Sequence, residues 1–246
     1  MIKFFRKIRQ KLLSENKIGK YLTYAIGEIV LVVIGILIAL QINNWNENRK
    51  QQIKLQQIYH EILADLKRER DYANFIINKF EGQRKAYTDY LESFSSTKIT
   101  RKSMYRKLLE LNMEGYPINS NSSIVESLQN SGEIVLLPQS IRNRLINLRR
   151  QQNKIIVDES LDNRGRMGVM ERLTMLIGSL SLDERLENQK ELRFELKIEE
   201  NINQIILGLE AGQEWMDFSE SKSIRLLKEF VNEINAVEKL ILEETK

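Results

Sequence analysis

The sequence has no cysteine, one histidine, two prolines and eleven glycines in 246 residues. The absence of cysteine excludes disulfides, thiol catalysis, thiolate metal sites and a lipoprotein anchor. Because His60 is the one histidine, any site that needs two histidines from one chain is excluded as well. Few helix-breaking residues, together with abundant Leu, Ile, Glu, Lys, Asn and Gln, favour a mainly helical protein.

Positive charge is concentrated near the N-terminus rather than spread along the chain. The formal net charge of the whole chain is +4, yet residues 1–20 contain seven Lys or Arg and one acid, Glu15. The sequence after residue 20 is therefore slightly acidic. The basic pI is a property of this leader, so it does not indicate a nucleic-acid partner, and we expect none.

A long apolar stretch runs from Tyr21 to Ile42. As a helix its 22 residues extend over about 33 Å, enough to cross a bilayer core of about 30 Å. Thirteen of them are Leu, Ile or Val, and at about −0.3 to −0.6 kcal/mol each they outweigh one off-centre acid, Glu28. Tyr21 and Tyr24 at one end and Trp45 at the other suit the two membrane interfaces. The sequence therefore predicts a helix that spans a lipid bilayer.

This span is predicted to be an uncleaved signal anchor over residues 21–43. The alternative is a cleaved signal peptide, but the stretch is long and no A-x-A-like cleavage site follows it. Seven Lys or Arg precede the span, and only Arg49, Lys50 and Lys54 occur in the twenty residues after it. The positive-inside rule then places the N-terminus in the cytoplasm and residues 44–246 in the periplasm of a Gram-negative cell. We expect a single-pass protein of the bacterial inner membrane.

The leader, residues 1–20, is predicted to be cytoplasmic. Residues 2–13, "IKFFRKIRQKLL", place their apolar side chains mostly on one helical face. Such an amphipathic helix is suited to lie on an anionic inner leaflet. A basic tail that only sets the topology explains the same residues equally well.

Helical periodicity continues into residues 44–246. Apolar residues at helical spacing predict one long helix over 47–94. It can run on from the membrane helix, because "QINNWNENRKQQ" contains neither glycine nor proline. Gly82 is the candidate position for a kink, and Thr100 is placed to cap a helix at 101–113.

The second half of the chain predicts shorter helices. Ser123 and Glu126 form a capping-box pattern for a helix that ends at Gly132, and the following "EIVLL" indicates a buried turn or strand. Pro138 suits the first turn of a helix that continues to about residue 160, where "DNRGRMG" is a weak point. Helical patterns follow near 169–180, 184–212 and 221–244. The predicted fold is all-α, with one N-terminal transmembrane helix continuing into a long stalk helix and an antiparallel helical bundle.

Two charged segments are the first candidates for binding. The helix after Pro138 is rich in arginine, whereas residues 183–200, "DERLENQKELRFELKIEE", contain seven acids and four bases. Complementary faces within one bundle explain both segments, and an anionic ligand or partner is the alternative. Aromatic residues do not interleave with the basic ones, as single-stranded nucleic-acid binding would require.

The other candidates have simpler structural interpretations. His60 has Glu61 beside it rather than one turn away, so a surface or packing role is favoured over metal binding. "EWMDF" at 214–218 predicts core or inter-helix packing, with a binding groove as the alternative. "GRMG" lacks the glycine spacing and the Lys-Ser end of a phosphate loop. Because no paired carboxylates, Ser-His-Asp set or metal cluster occurs, we expect no enzyme activity and no cofactor.

Glu28 lies on a stripe of small and polar residues along the predicted membrane helix. The stripe is spaced 3-4-3-4-3 and consists of Ala25, Glu28, Val32, Gly35, Ala39 and Ile42. Small residues let helices approach closely in lipid, and Gly35 with Ala39 is a small-xxx-small pair. Intramembrane carboxylates usually face protein. The stripe predicts an interface with a helix of another chain.

Three roles for Glu28 stay open from the sequence. Its carboxylate can reach the cytoplasmic interface, or it can be a protonated hydrogen-bonding group within a helix–helix contact. It can also handle protons or ions within the membrane.

The stretch "IGKYLTYAIGEIVLVVIGILIALQINNWNE" resembles a family of uncharacterised single-pass membrane proteins abundant in Bacteroidota. Members begin with a basic leader, carry this glutamate in the span and end the span in an asparagine- and tryptophan-containing segment. The similarity covers about residues 1–50 and continues more loosely through "SSIVESLQNSGEIVLL". It implies inner-membrane placement in a Gram-negative cell. It implies no activity and identifies no functional residue.

These patterns predict an interaction protein, a homo-oligomeric inner-membrane anchor that presents a helical periplasmic domain for assembly, scaffolding or sensing. Another inner-membrane protein is a further candidate partner. The alternative is a subunit of an ion- or proton-conducting complex, channel or stator-like, that uses Glu28 in the membrane. The likeness to stator subunits is one of layout alone.

Overall fold

The computed structural model describes residues 18–96, 98–118, 124–179 and 181–245, apart from the side chains of residues 18, 20, 21, 24, 96 and 183. Every regular element in these ranges is helical, so the predicted all-α class is confirmed. The elements are α1 (Ile18–Ser96), α2 (Arg101–Glu110), α3 (Ile124–Asn130), a 3-10 turn (Glu133–Leu136), α4 (Gln139–Ile177), α5 (Leu182–Arg185), α6 (Lys190–Glu195) and α7 (Ile198–Glu244). The predicted leader helix and the Ser123 cap lie outside the described residues.

Helix α1 is continuous from Ile18 to Ser96. This confirms that the apolar segment and the following stalk are one helix, and the helix also continues through Gly82. The chain divides into two compact units, and the boundary falls between Gln57 and Ile58 within α1. The two units are described separately below.

The second unit is a helical bundle whose main members are α4, α7 and the part of α1 that follows Ile58. Apolar residues at helical spacing turn one face of each helix inward. The side chains that are almost completely enclosed include Ile62, Phe80, Leu145, Ile234, Val237 and Ile241. Packing of these apolar stripes, rather than helix propensity alone, holds such long helices together.

Helix α7 runs antiparallel to α1. Arg70 near the start of this part of α1 donates a hydrogen bond to Asn235 late in α7, at 3.2 Å. Arg84, farther along α1, pairs with Asp217, which lies earlier in α7, at 2.8 Å. The residue numbers rise in one helix as they fall in the other, as an antiparallel pair requires.

Helix α7 is also antiparallel to α4. Arg144 donates to Glu233 at 3.0 Å, and Asp162 pairs with Lys222 at 2.7 Å. Since α7 is antiparallel to both partners, α1 and α4 run in the same direction. The bundle therefore consists of two parallel helices and one antiparallel helix.

The short elements between α1 and α4 largely follow the predicted capping signals. Thr100 caps α2 through a reciprocal pair of hydrogen bonds with Ser103, so this predicted cap is confirmed. Gly132 adopts a positive φ of 75°, which glycine tolerates without strain, and it starts the 3-10 turn. The segment "EIVL" is this turn rather than a strand. Pro138 immediately precedes α4, as expected from its position.

Three predicted helix boundaries are wrong. Helix α4 does not end near residue 160 but continues through Gly165 and Gly168 to Ile177. Helix α7 runs unbroken from Ile198 to Glu244, whereas the sequence suggested a gap at 213–220. The helix predicted over 184–212 does not begin as one element: its first part falls in α5 and α6, and Lys197 with a φ of 52° precedes α7.

Candidate functional site

The apolar segment of α1 is exposed along its whole length within the first unit. The described part of α1 is long and apolar enough to cross a membrane, and its most apolar window has none of its residues buried against the rest of the chain. Val32, Ile42 and Trp45 are each more than half exposed. By length and composition this segment is therefore a candidate membrane anchor.

The predicted stripe is not uniform along this segment. Ala25 and Glu28 are half-buried, whereas Val32, Gly35, Ala39 and Ile42 are exposed. A shallow groove on the helix surface is lined by Ala25, Glu28, Ile29, Val32 and Val33. A Cβ added to Gly35 would meet nothing within 4 Å, so this position is open to a close approach by a neighbouring helix. The side chains of Tyr21 and Tyr24 lie outside the described part.

A second candidate site lies inside the bundle and joins α4 to α7. Glu159 and Arg166 of α4 and Glu220 of α7 are at most 6% exposed, although all three carry ionisable side chains. Gln213 and Ser223 of α7 are equally buried. Charged groups are rarely buried so fully unless other charges or hydrogen bonds compensate them. We call Glu159, Arg166 and Glu220 the buried charge cluster.

Within this cluster, Glu159 has the most complete set of partners. Its carboxylate accepts a hydrogen bond from Ser223 Oγ at 2.9 Å, and Arg166 Nη2 lies 3.6 Å from its Oε1. Burial raises the pKa of Glu159, and the Ser223 hydrogen bond and the Arg166 charge oppose that rise. Glu159 is therefore the carboxylate that this site holds best as an anion.

Glu220 is less well compensated. Burial raises its pKa to about 8; Asp217 and Glu159 add to the rise, and Arg166 and Arg84 oppose it. Its Oε1 has no hydrogen-bond partner among the described residues, and the same holds for Nη1 of Arg166. At neutral pH the cluster therefore holds Glu220 as a protonated acid, the usual response of a poorly solvated carboxyl group.

The segment at residues 111–118, which links α2 towards α3, packs over Arg166. We call it the crossing segment. A Cβ placed on Gly115 would overlap Nη1 of Arg166 and Oδ1 of Asn163, so only glycine allows the backbone to lie this close. Tyr72 donates to the carbonyl of Pro117 at 2.6 Å and thereby fixes the far end of the segment on α1.

The rest of the crossing segment also contacts α1. The Gln83 amide donates to the carbonyl of Glu114 at 3.0 Å. The ring of Tyr116 packs edge-on against Phe75 and Phe80, with centroid distances of 6.3 and 5.9 Å. The segment is thus held by side chains of α1 on one side and by Arg166 on the other.

A cleft on the outer side of α2 is lined by several cations. It has a volume of about 220 Å³, with Arg101, Lys102, Arg106 and Arg193 on its walls. Glutamates pair with three of these cations: Lys102 lies 3.1 Å from Glu187, and Glu199 binds both Arg101 and Arg193. Hydrogen bonds from Arg193 and Arg101 lower the pKa of Glu199. The cleft is a largely neutralised ion-pair surface.

Comparison with known proteins identifies a family but no activity. The model of a family of unknown function, DUF6090, matches residues 28–164. The chain belongs to this family. The predicted membership of a family without a known activity is therefore confirmed. No curated protein and no solved structure matches the chain.

The DUF6090 match includes Glu28 and most of the stripe, together with Glu159. It ends inside α4, before Arg166, and it does not include α7. The buried charge cluster is therefore only partly within the region that defines the family.

Several sequence-predicted pairings are different in this DUF6090 protein. The arginines of α4 do not pair with the acids of residues 183–200 among the described contacts. Arg144 binds Glu233 and Arg149 binds Glu126 instead. Two acids of the 183–200 segment, Glu187 and Glu199, pair with Lys102 and Arg101 of α2. Among the described contacts, the two charged segments therefore pair with other elements rather than with each other.

The other predicted residues lie on the surface or are divided between surface and core. His60 is exposed, and no group of three metal-ligating side chains occurs in the described ranges. Met216 is buried as predicted, but Trp215 and Phe218 are 49% and 69% exposed, so "EWMDF" is only partly a packing motif.

The buried charge cluster was missed because its residues are polar. In α7, Gln213 and Glu220 occupy inward-facing positions on either side of Met216, within a stripe of buried apolar residues. Glu159 and Arg166 likewise occupy inward-facing positions in α4. Helical spacing that continues through polar residues is the signal that would have revealed both the unbroken helices and the cluster.

Proposed function

We propose that this protein is a single-pass inner-membrane anchor that associates with further copies of itself through α1 and presents its helical domain for assembly, scaffolding or sensing. In this proposal the N-terminus is cytoplasmic and residues 44–246 are periplasmic. The observation that carries it is the uncovered apolar part of α1, with Glu28 in a groove beside small residues. Enzyme activity forms no part of it.

The position of Glu28 favours a protein partner over lipid alone. A carboxyl group in the hydrocarbon region costs about 2.5–3.5 kcal/mol on insertion scales. A second helix that packs into the groove of Ala25, Glu28 and Val32 can exclude lipid from the carboxyl group. The described residues contain one candidate span, so the second helix is taken from another chain.

The small residues farther along the stripe support the same arrangement. Gly35 and Ala39 leave the backbone accessible on one side, and close backbone approach is the main source of helix association in lipid. Leu37 and Val30 lie on the opposite side, where bulky side chains suit contact with acyl chains.

Cysteine cross-linking in native membranes tests the interface. The chain has no cysteine, so each introduced thiol is unique. We expect Gly35→Cys and Ala39→Cys to form disulfide-linked dimers under mild oxidation, and Leu37→Cys and Val30→Cys to stay monomeric. If the stripe variants give only monomer, or if all four cross-link equally, the proposed interface is refuted.

Labelling of intact cells tests the topology. A membrane-impermeant maleimide should label Ser95→Cys once the outer membrane is permeabilised, whereas Lys3→Cys should react only after lysis. Reversed labelling would overturn the proposed orientation without affecting the interface.

A second function is favoured by Glu28 itself, which is less exposed than the apolar residues that follow it. In this alternative, several copies of α1 surround a path along which Glu28 accepts and releases protons or binds ions. Proteoliposomes with a potassium diffusion potential and an internal pH dye would measure the flux. Equal proton flux for the native chain and Glu28→Gln, with intact assembly, would exclude this alternative.

A further inference from the structure

The crossing segment covers the buried charge cluster, and the two are in direct contact. Gly115 lies against the Arg166 guanidinium. Tyr116 lies close enough to Glu220 for the charge of that carboxylate to raise the pKa of the Tyr116 hydroxyl, after the larger effects of burial and Glu114. A change of charge at Glu220 therefore acts directly on this segment.

The charges around Glu220 balance when Glu220 is neutral. The groups that face it are Arg166 and Glu159 from α4, Arg84 from α1, Asp217 from α7 and Tyr116 from the crossing segment. Next to them, Asp162 pairs with Lys222. With protonated Glu220, three cations meet three carboxylates. Ionisation of Glu220 adds a negative charge that no further cation compensates.

Of the elements around this cluster, the crossing segment is the one most easily moved. Helices α4 and α7 and the part of α1 from Ile58 onward are held by a shared apolar core. The segment has no regular secondary structure, and hydrogen bonds from Tyr72 and Gln83 fix its backbone to α1. Local openings of a protein occur where few backbone hydrogen bonds and apolar contacts have to be broken.

We propose that residues 111–118 are a pH-sensitive latch that closes over Arg166 while Glu220 is protonated and detaches when Glu220 becomes charged. Detachment admits water to the Glu220 carboxylate and to Nη1 of Arg166; Oε1 of Glu220 and Nη1 of Arg166 are both buried without a hydrogen-bond partner among the described residues. It also releases the Tyr116 ring from Phe75 and Phe80. This inference does not rest on the membrane anchor or on the oligomer.

The size of the effect follows from proton linkage. Glu220 has a pKa of about 8 when the latch is closed, against 4.5 for a solvated glutamate. A group with a raised pKa stabilises the closed form fully below pH 4.5, and this contribution is lost as the pH rises to about 8. Between pH 6.5 and pH 9 the opening equilibrium should increase about thirtyfold, because the pH dependence saturates once Glu220 is charged in both forms.

Hydrogen exchange by mass spectrometry tests the latch on the full chain in detergent micelles. Protection of the backbone amides in residues 111–118 is compared at pH 6.5 and pH 9, after correction for the intrinsic exchange rate. We expect protection in this segment to fall about thirtyfold, while peptides from α4 and α7 keep their protection. Glu220→Gln should keep the protection of the closed latch at both pH values.

Two further variants make the result specific. Glu229→Gln, an exposed acid on α7 that pairs with Arg225, should behave as the native chain. Gly115→Ala should lower protection at both pH values, since its Cβ overlaps Arg166. The latch is refuted if the protection of residues 111–118 in the native chain does not change between pH 6.5 and pH 9, or if Glu220→Gln loses as much protection at pH 9 as the native chain. Simultaneous loss across α4 and α7 would also refute it, because that result would mean unfolding of the bundle.

Discussion

The ion pair between Glu159 and Arg166 gives a quantitative prediction for stability. Their closest charged atoms are 3.6 Å apart, with side chains that are 4% and 7% exposed. At an effective dielectric constant of about 20, Coulomb's law gives an attraction of about 5 kcal/mol. Desolvation of both groups offsets much of this attraction, so the net contribution of the pair is smaller.

Removing one partner leaves the other charge buried. We expect Arg166→Met and Glu159→Gln to lower the free energy of unfolding by about 3–5 kcal/mol each. The double variant should lose about 2–3 kcal/mol less free energy of unfolding than the sum of the two single variants, because neither charge of the pair is then left buried without the other. Urea unfolding of the full chain in micelles, followed by circular dichroism at neutral pH, measures all three.

The exposed pair of Arg101 and Glu199 is the matched control. Its side chains are more than half exposed, and the same substitutions there should give a coupling energy of at most about 1 kcal/mol. A coupling below about 0.5 kcal/mol for the buried pair, or an equal coupling for both pairs, would contradict the interpretation of the cluster as an electrostatic unit.

Three further predictions concern the same bundle. Glu220→Gln should match the free energy of unfolding of the native chain at pH 4 and exceed it at pH 9 by up to about 5 kcal/mol. The reason is that the native chain loses the stability that comes from the raised pKa of Glu220 between pH 4.5 and about 8. Parallel pH profiles for the two proteins would contradict this. Ile234→Ala, fully buried, should cost about 2–5 kcal/mol, against at most about 0.5 kcal/mol for Leu207→Ala, which is 71% exposed. Thr100→Ala should cost about 1 kcal/mol through loss of its cap, and an unchanged unfolding midpoint would show that the cap contributes nothing.

The sequence predicted elements whose signals are local and apolar. The continuity of α1 across residues 41–52 followed from a run without glycine or proline, and the roles of Thr100 and Gly132 followed from capping chemistry that involves only neighbouring residues. The helix class and the bundle followed from apolar residues at helical spacing. All of these features depend on short-range rules that the tertiary structure did not change.

The features that could not be predicted depend on long-range compensation. Glu159, Arg166 and Glu220 interrupt the apolar stripes of α4 and α7. Glu159 is compensated by Ser223 of α7 and by Arg166 farther along α4, whereas burial favours the neutral form of Glu220. From one helix alone, such a residue looks like the end of a buried face. The same reasoning explains why the arginines of α4 could not be assigned to their partners, since several acidic segments of similar composition were available.

The antiparallel course of α7 has a consequence for how the chain is made. The last turn of α7 lies beside the start of the bundle, where burial and the charge of Glu244 raise the pKa of Tyr59. The buried face of α1 near Ile62 is synthesised long before its partner residues in α7. Helices α4 and α7 can pair over a short connection, whereas contacts such as Arg70 with Asn235 join residues separated by 165 positions. We therefore expect α1 to remain without its bundle partners until α7 has been synthesised, and to dock after the α4–α7 hairpin has formed.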